Sequence, residues 1–159
     1  MKKLIIILLL SCSVLSAQYN PYQTEPVKHE WKYKEAVKTI ALYSSSIILG
    51  GIGDGLNDSG QKVAGHFCNS ASIGLLVVSP FILDYNRKNA WAYLASYVSL
   101  NIGLFDISYN RARGLPIGYV GNSCLYDKFW RATKSPESWI VFKDAFFITV
   151  GFTMIINEL

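Results

Sequence analysis

Four long apolar segments follow one another along this chain, separated by short polar stretches. They cover, approximately, residues 35–52, 63–83, 89–105 and 138–157. None shows the strict alternation of apolar and polar residues that is typical of a half-buried strand, and each is longer than most strands. The pattern therefore predicts an all-α fold, a small bundle of about four helices.

The residues at the ends of these segments agree with helices. Ser135 can accept a hydrogen bond at the start of the last helix, and Pro136 suits its first position, where no backbone N–H is needed. The stretch RGLPIGYVGNS, residues 113–123, contains three glycines and a proline and predicts a loop. A membrane β-barrel would need alternating segments of about ten residues, which the pattern does not contain.

The N-terminus has the pattern of a secretory signal: a basic start (MKK), an apolar run (LIIILLL) and small residues (SCSVLSA). Cleavage is expected after Ala17, which makes residues 1–17 a signal peptide. Lipid modification of Cys12 and an uncleaved anchor are the alternatives. Residues 18–34 are polar and aromatic and predict an extended extracytoplasmic arm. A single helical membrane domain is expected over residues 35–159.

The apolar segments predict a membrane location. Residues 63–83 carry no formal charge and are long enough to cross a hydrocarbon layer, which takes ~20 apolar residues. With the mature N-terminus outside and four crossings, residues 109–137 would face the cytoplasm. In agreement with the positive-inside tendency, that connection carries Arg111, Arg113, Lys128, Arg131 and Lys134. The agreement is incomplete, since the predicted outer side carries Lys28, Lys32, Lys34, Arg87 and Lys88. We therefore expect an exported protein of the cytoplasmic (inner) membrane, with a periplasmic or lipid-anchored helical protein as the alternative.

Charge and cysteine content narrow the choice of partners. The formal net charge of +4 falls to +2 when Lys2 and Lys3 leave with the signal, and no basic stripe remains, so nucleic-acid binding is not expected. The expected partners are membrane lipid and either another envelope protein or a second copy of this chain. Cys68 and Cys124 can pair in an oxidising compartment or stay as buried free thiols. No cofactor is predicted.

A polar stripe interrupts the apolar pattern between the first two segments. Its members recur every four residues and are Asp54, Asp58, Lys62, His66 and Ser70. A continuous helix would place them along one face, but Gly55 and the Ser59-Gly60 pair predict a break. We therefore expect a glycine-rich turn that carries both aspartates. The next helix would begin near Ser59, and its N-terminus would favour the nearby negative charge.

Polar residues of the later segments are candidates for the same cluster. Asp106, Asn110 and Arg113 follow at spacings of four and three, and they share one face if the third helix extends that far. Asp144 lies inside the last apolar segment. Because ionisable side chains within a membrane need partners, we predict that His66, Asp106 and Asp144 converge at one level of the bundle. The alternative is a set of separate groups on solvated surfaces and helix ends.

No motif of a catalytic or nucleotide-binding site is complete. In GLNDSGQK, residues 55–62, a glutamine occupies the lysine position of a phosphate-binding loop. His29 and His66 are the only histidines, which excludes a histidine-rich metal site. Asp54, Asp58 and His66 could still form a mixed one. No metal is predicted, and catalytic residues stay unassigned.

The polar positions resemble those of VanZ-like small envelope proteins and their lipoprotein relatives. That family has an acid-Lys-x-x-His helix start, an acidic residue in a later helix, and a last helix with Ser…Asp followed by Gly. The matching positions are Lys62, His66 and Ser70, then Asp106, then Ser138, Asp144 and Gly151. The pattern departs from the family at Lys62, which lies four residues from His66 and not three, and at Ile148, where the family has Asn. The resemblance implies a role in the cell envelope without a defined reaction.

Three interpretations of the function follow. The first is a non-enzymatic integral membrane protein of the cell envelope, whose buried polar cluster specifies packing or binds a polar ligand or lipid headgroup. The second is a membrane-embedded hydrolase or metal-dependent enzyme that acts on a lipid or wall precursor. The third is a periplasmic or lipid-anchored helical interaction module. The sequence leaves enzymatic activity undecided.

Overall fold

All regular structure is helical in the part of the chain that the computed structural model describes, residues 28–85, 89–121 and 125–158. The helices are α1 (Lys28–Asp58), α2 (Lys62–Ile82), α3 (Ala90–Ala112), α4 (Leu125–Arg131) and α5 (Pro136–Glu158). The predicted all-α fold is confirmed. The predicted signal peptide and Cys124 lie outside the described residues, and Cys68 is a free thiol.

The four long helices pack side by side in the order α2, α1, α3, α5, and the short α4 rests against α5. Contacts at their ends fix the directions. Tyr43, in the first half of α1, shares a hydrogen bond with Tyr85, which follows α2. Tyr109, near the end of α3, donates a hydrogen bond to Asp58 at the end of α1. Therefore α1 and α3 run in one direction, and α2 runs in the other.

Glycines near the end of α1 allow its neighbours to pack closely. Gly51 and Gly55 face α3, where an added Cβ would lie 2.8 and 2.7 Å, respectively, from a backbone carbonyl oxygen. Gly53 faces α2, where a Cβ would lie 2.9 Å from the carbonyl oxygen of Gly65. Small residues at such spacing let helix backbones approach each other. The predicted glycine-rich turn is wrong, because these glycines belong to a helix that ends only at Asp58.

The connection from α1 to α2 is a turn of residues 59–61. Gly60 has a φ of 85°, a left-handed conformation that suits glycine. The predicted capping role of Ser59 is wrong. Its hydroxyl donates to the carbonyl oxygen of Gly55 at 2.8 Å and so closes the end of α1. Gln61 precedes α2 and makes no side-chain capping bond.

Two serines join α1 and α2 further along the same interface. The hydroxyl of Ser46 donates to the carbonyl oxygen of Ser72 at 3.0 Å, and the hydroxyl of Ser72 donates to the carbonyl oxygen of Ser46 at 2.8 Å. This reciprocal pair fixes the register of the two antiparallel helices.

Two helices extend beyond the predicted segments. α3 continues far enough for Asp106 and Asn110 to be helical, and Arg113 follows its last residue. α1 begins at Lys28, so residues 28–34 of the predicted extended arm are helical. That stretch contains three lysines and one glutamate, and both residue types are good helix formers.

Three helices of the described part are long and apolar enough to cross a membrane: Tyr33–Asp58, Lys62–Ile82 and Pro136–Asn157. α3 is not among them. It packs between α1 and α5 and buries polar residues there, including Ser96, Ser99 and Asn110. The side of a helix that packs against other helices can carry more polar residues than the side that faces a membrane.

The buried core lies between α1, α3 and the last part of α5, together with Leu83, which directly follows α2. It consists of Ala36, Tyr43, Ile47, Leu83, Tyr93, Leu100 and Ile155. The rings of Tyr43 and Tyr93 pack edge to face, with 6.5 Å between their centroids. This aromatic contact joins α1 to α3 at the end opposite to the Asp58–Tyr109 bond.

Candidate functional site

A lysine inside the apolar helix α5 is the centre of the best-defined polar site. The Nζ atom of Lys143 donates hydrogen bonds to Asp106 Oδ2 at 2.6 Å, to the Tyr126 hydroxyl at 2.9 Å and to the Ile102 carbonyl oxygen at 3.2 Å. It also lies 2.8 Å from Asp144 Oδ1. We call Lys143, Asp106, Asp144 and Tyr126 the Lys143 cluster. It joins three helices, α3, α4 and α5.

A close approach of α3 to α5 positions this cluster. Gly103 lies one turn before Asp106 and faces α5. A Cβ at Gly103 would lie 2.7 Å from the carbonyl oxygen of Asp144 and 2.6 Å from Cγ1 of Ile148. Only glycine fits at this distance, so the glycine brings the carboxylate of α3 within reach of the lysine of α5. Lys143 lies ~10 Å along α5 from its first residue, at 1.5 Å per residue.

The cluster is enclosed and carries more negative than positive formal charge. The side chain of Lys143 is 10% exposed and that of Asp144 is 1% exposed, whereas that of Asp106 is 36% exposed. Neither carboxylate oxygen of Asp144 accepts a hydrogen bond. Its contact with Lys143 has the distance of an ion pair, but not the alignment of a hydrogen bond. One ammonium group therefore faces two carboxylates, and only Asp106 takes a hydrogen bond from it.

A cavity of about 190 Å³ borders the cluster on the side of Asp106 and Tyr126. Tyr109, Asn110 and Arg113 from the end of α3 also line it. The cavity lies at the bundle end where α3 finishes and α5 begins. It gives the more exposed carboxylate of the cluster a polar surrounding, while Asp144 stays enclosed.

Asn110, one of the predicted site residues, holds the loop that closes this cavity. Its side-chain Nδ2 donates to the carbonyl oxygen of Ile117 at 3.1 Å and to that of Tyr119 at 3.3 Å. The residue is 4% exposed. Asn110 therefore has a structural contact with the loop and does not contact the lysine.

A second polar group lies at the junction of α1, α2 and α3. Asp58 accepts the hydrogen bond of the Tyr109 hydroxyl, which in turn accepts one from Arg113 at 3.0 Å. Asp54, one turn earlier, accepts a hydrogen bond from Asn69 Nδ2 at 2.8 Å. Asp54, Asp58 and Arg113 are thus brought to the same end of the bundle, on its exposed surface.

The remaining residues of the polar stripe lie apart from the cluster. Lys62, His66 and Ser70 are exposed on α2. Among the described helices, α2 contacts only α1. The prediction that His66, Asp106 and Asp144 converge is therefore wrong for His66. Asp106 and Asp144 both contact Lys143, and His66 does not join them. The face of α2 that packs on α1 carries Gly65 and Ser72, which leaves His66 on another side.

No three histidine, cysteine, aspartate or glutamate side chains within the described ranges are grouped so that they could hold a metal ion. The mixed site considered for Asp54, Asp58 and His66 is therefore not assembled. The two aspartates instead accept hydrogen bonds from Asn69 and Tyr109.

Sequence reasoning missed Lys143 and Tyr126. From the sequence, Lys143 interrupts the last apolar segment and can form an exposed pair with its neighbour Asp144. The signal was nevertheless present, because a lysine in the interior of such a segment must find a carboxylate partner. Tyr126 carries no comparable signal, since its segment does not show which helix it will pack against.

Comparison with models of known protein families, with curated proteins and with solved structures finds no match for this chain. The resemblance to VanZ-like envelope proteins stays a prediction.

Proposed function

We propose that this chain is a non-enzymatic integral membrane protein of the cell envelope. In this proposal the Lys143 cluster fixes the packing of α3, α4 and α5 near one face of the membrane. The observation that carries the proposal is Lys143 itself, whose ammonium group is buried within a helix apolar enough to span a membrane. Ionisable groups inside membrane helices face the bundle interior and pair with one another.

The surface of α2 supports a membrane setting. Val63 and Phe81 are each 86% exposed and Phe67 is 75% exposed, and α2 contacts no described helix other than α1. A long exposed apolar face is unfavourable in water and marks a membrane or protein contact. In a bilayer the same face lies against hydrocarbon chains.

The distribution of basic residues supports one orientation. The α1–α2 turn and the end of α3 lie at the same end of the bundle, because Asp58 and Tyr109 are hydrogen bonded. The connection from α3 to α5 starts at that end. It contains Arg113, Lys128, Arg131 and Lys134. By the positive-inside tendency, this end faces the cytoplasm. The Lys143 cluster then lies closer to the cytoplasmic face than to the outer one.

The contacts of the polar stripe favour this proposal over the enzymatic alternative. An enzyme built on His66 would need an acid or a polar ligand group beside it. Asp54 and Asp58, the nearest candidates in sequence, are hydrogen bonded to Asn69 and Tyr109 instead.

Membrane extraction and topology mapping test the proposal. The protein should stay in the pellet when membranes are washed with alkaline carbonate. Reporter fusions after residues 57 and 125 should be cytoplasmic, and a fusion after residue 87 should be exported. Release of the full chain by carbonate, or opposite locations of the fusions after 57 and 125, would contradict it. N-terminal sequencing of the mature protein tests the expected cleavage after Ala17.

A further inference from the structure

We propose that the Lys143 cluster is a binding site for one exchangeable proton, which is carried by the Asp144 carboxyl group. The inference rests on the proposed function, because it assumes that this part of α5 lies in an apolar phase. It goes beyond that function, since a group that only fixes helix packing need not bind or release anything.

The charge count is the first argument. With all groups ionised, the cluster has one ammonium and two carboxylates and carries a net charge of −1. Arg113 and Asp127, which line the cavity beside it, add one charge of each sign and leave this sum unchanged. Burying an uncompensated charge is costly, and a buried group takes up or releases a proton where that removes the excess charge. One added proton makes the cluster neutral.

The geometry assigns this proton to Asp144. Asp106 accepts a hydrogen bond from Lys143 at 2.6 Å, and its side chain is 36% exposed, so its negative charge is well stabilised. Asp144 is 1% exposed, and neither of its oxygens accepts a hydrogen bond. A carboxylate in that position has the shared ammonium group of Lys143 beside it but no aligned hydrogen-bond donor, whereas a carboxylic acid needs fewer donors.

A proton fits this site better than a metal cation or an anion. The ammonium group of Lys143 already occupies the place between the two carboxylates and repels a second cation. A metal such as sodium or calcium also needs several oxygen ligands, and among the described residues no third aspartate, glutamate, histidine or cysteine joins Asp106 and Asp144. The net negative charge of the ionised cluster repels anions.

The cavity beside the cluster provides a route for exchange. Asp106 and Tyr126 line this cavity of about 190 Å³, and both accept hydrogen bonds from Lys143. Asp144 does not line the cavity, so release runs through Lys143. The ammonium group passes a proton to the Asp106 carboxylate, which gives it to cavity water, while the Asp144 O–H bond breaks and its proton moves to the Lys143 nitrogen. Uptake is the reverse of this step, and no oxidant or other reactant is needed.

Infrared spectroscopy of the full-length protein purified in detergent tests the inference. In mildly acidic buffer, the wild type should show the C=O stretching band of one protonated carboxylic acid, and the band should disappear as the pH is raised. Carboxyl-labelled aspartate should move the band, and D₂O should shift it as O–H becomes O–D. The variant Asp144→Asn should lose the band. The matched control Asp54→Asn, which alters an exposed aspartate of α1, should keep it.

Two further variants test the charge count and guard against misfolding of the first. Asp106→Asn leaves one ammonium and one carboxylate, so the band should disappear although Asp144 is still present. Lys143→Met leaves two carboxylates without a cation, so the band area should about double. Absence of the band in the wild type, or its full persistence in either Asp144→Asn or Asp106→Asn, would overturn the inference.

The outcome also separates this inference from the proposed function. A protein that resists carbonate extraction but lacks the band is a membrane protein without the proton site. A protein that carbonate releases fails the proposed function itself, whatever its infrared spectrum shows.

Discussion

Replacing Gly103 with alanine tests whether the contact between α3 and α5 positions the Lys143 cluster. The new Cβ would lie 2.7 Å from the carbonyl oxygen of Asp144, 2.6 Å from Cγ1 of Ile148 and 3.2 Å from its backbone nitrogen. Two of these atoms belong to the backbone of α5 and cannot rotate away. The helices must therefore move apart by several tenths of an ångström.

The chain offers a matched control for this change. Gly74 lies inside α2, and a Cβ there would meet no atom within 4 Å. Both substitutions replace a glycine in a helix interior and gain ~1 kcal/mol of helix propensity. Only Gly103→Ala adds an overpacking cost, typically about 1–3 kcal/mol. The difference between the two variants therefore isolates the cost of packing.

Unfolding in mixed micelles, driven by increasing SDS and followed by tryptophan fluorescence, measures this difference. We expect Gly103→Ala to be less stable than Gly74→Ala by about 1–3 kcal/mol, a factor of roughly 5–150 in the unfolding equilibrium constant. Gly74→Ala itself should match or exceed the wild type. If Gly103→Ala proves as stable as Gly74→Ala, α3 and α5 do not make the close contact described. The positions given to the residues of the Lys143 cluster would then also be wrong.

Three other predictions concern polar contacts and use the same unfolding assay. Lys143→Met should lower the free energy of unfolding by about 3 kcal/mol, the lower end of the range for breaking a buried ion pair, because protonation of the two aspartates relieves part of the loss. A change near zero would mean that the cluster is solvated. Ser46→Ala and Ser72→Ala should each lower the free energy of unfolding by about 0.6 kcal/mol, the average for hydrogen bonds between membrane helices, and by no more than about 1.7 kcal/mol. The exposed Ser70→Ala serves as their control and should change little. Asn110→Ala should lower the free energy of unfolding by about 1 kcal/mol, because the partly buried carbonyl oxygens of Ile117 and Tyr119 lose their donor. It should also speed proteolysis within residues 113–121, and unchanged cleavage there would contradict the role given to its side chain.

The sequence predicts the helical architecture because its signals are local. Each apolar segment is too long for a typical strand, and Pro136 begins α5 as expected. The error occurs at the end of α1, where glycine usually indicates a turn. Gly51, Gly53 and Gly55 are helical because α2 and α3 pack against opposite sides of α1 at that point. The cause is tertiary packing. The sequence shows a glycine in both cases, so it does not distinguish a turn from a helix interface.

The candidate site is predictable only in part for a related reason. Helical periodicity places Asp106 with Asn110 on one face of α3, but it does not say which helix that face meets. The structure brings Asp106 and Asp144 to one lysine and leaves His66 on a side of α2 that no described helix covers. Because buried charges need partners, the sequence indicates that Asp106 and Asp144 belong to a polar cluster. It does not show that their partner is Lys143 and not His66, since that depends on the order in which the helices pack.

That packing order also determines how many times the chain crosses a membrane if α1 crosses it. α3 is not apolar enough to be identified as a span on its own. It nevertheless runs beside α1 from the Tyr43–Tyr93 ring contact to the Asp58–Tyr109 hydrogen bond. The two contacts are 15 residues apart along α1, or ~22 Å at 1.5 Å per residue, which is most of a hydrocarbon layer of ~30 Å. If α1 crosses, α3 must cross with it, and its polar residues are tolerated because α1 and α5 shield them. Four crossings then place residues 57 and 125 on one side of the membrane, although hydropathy alone identifies three spans.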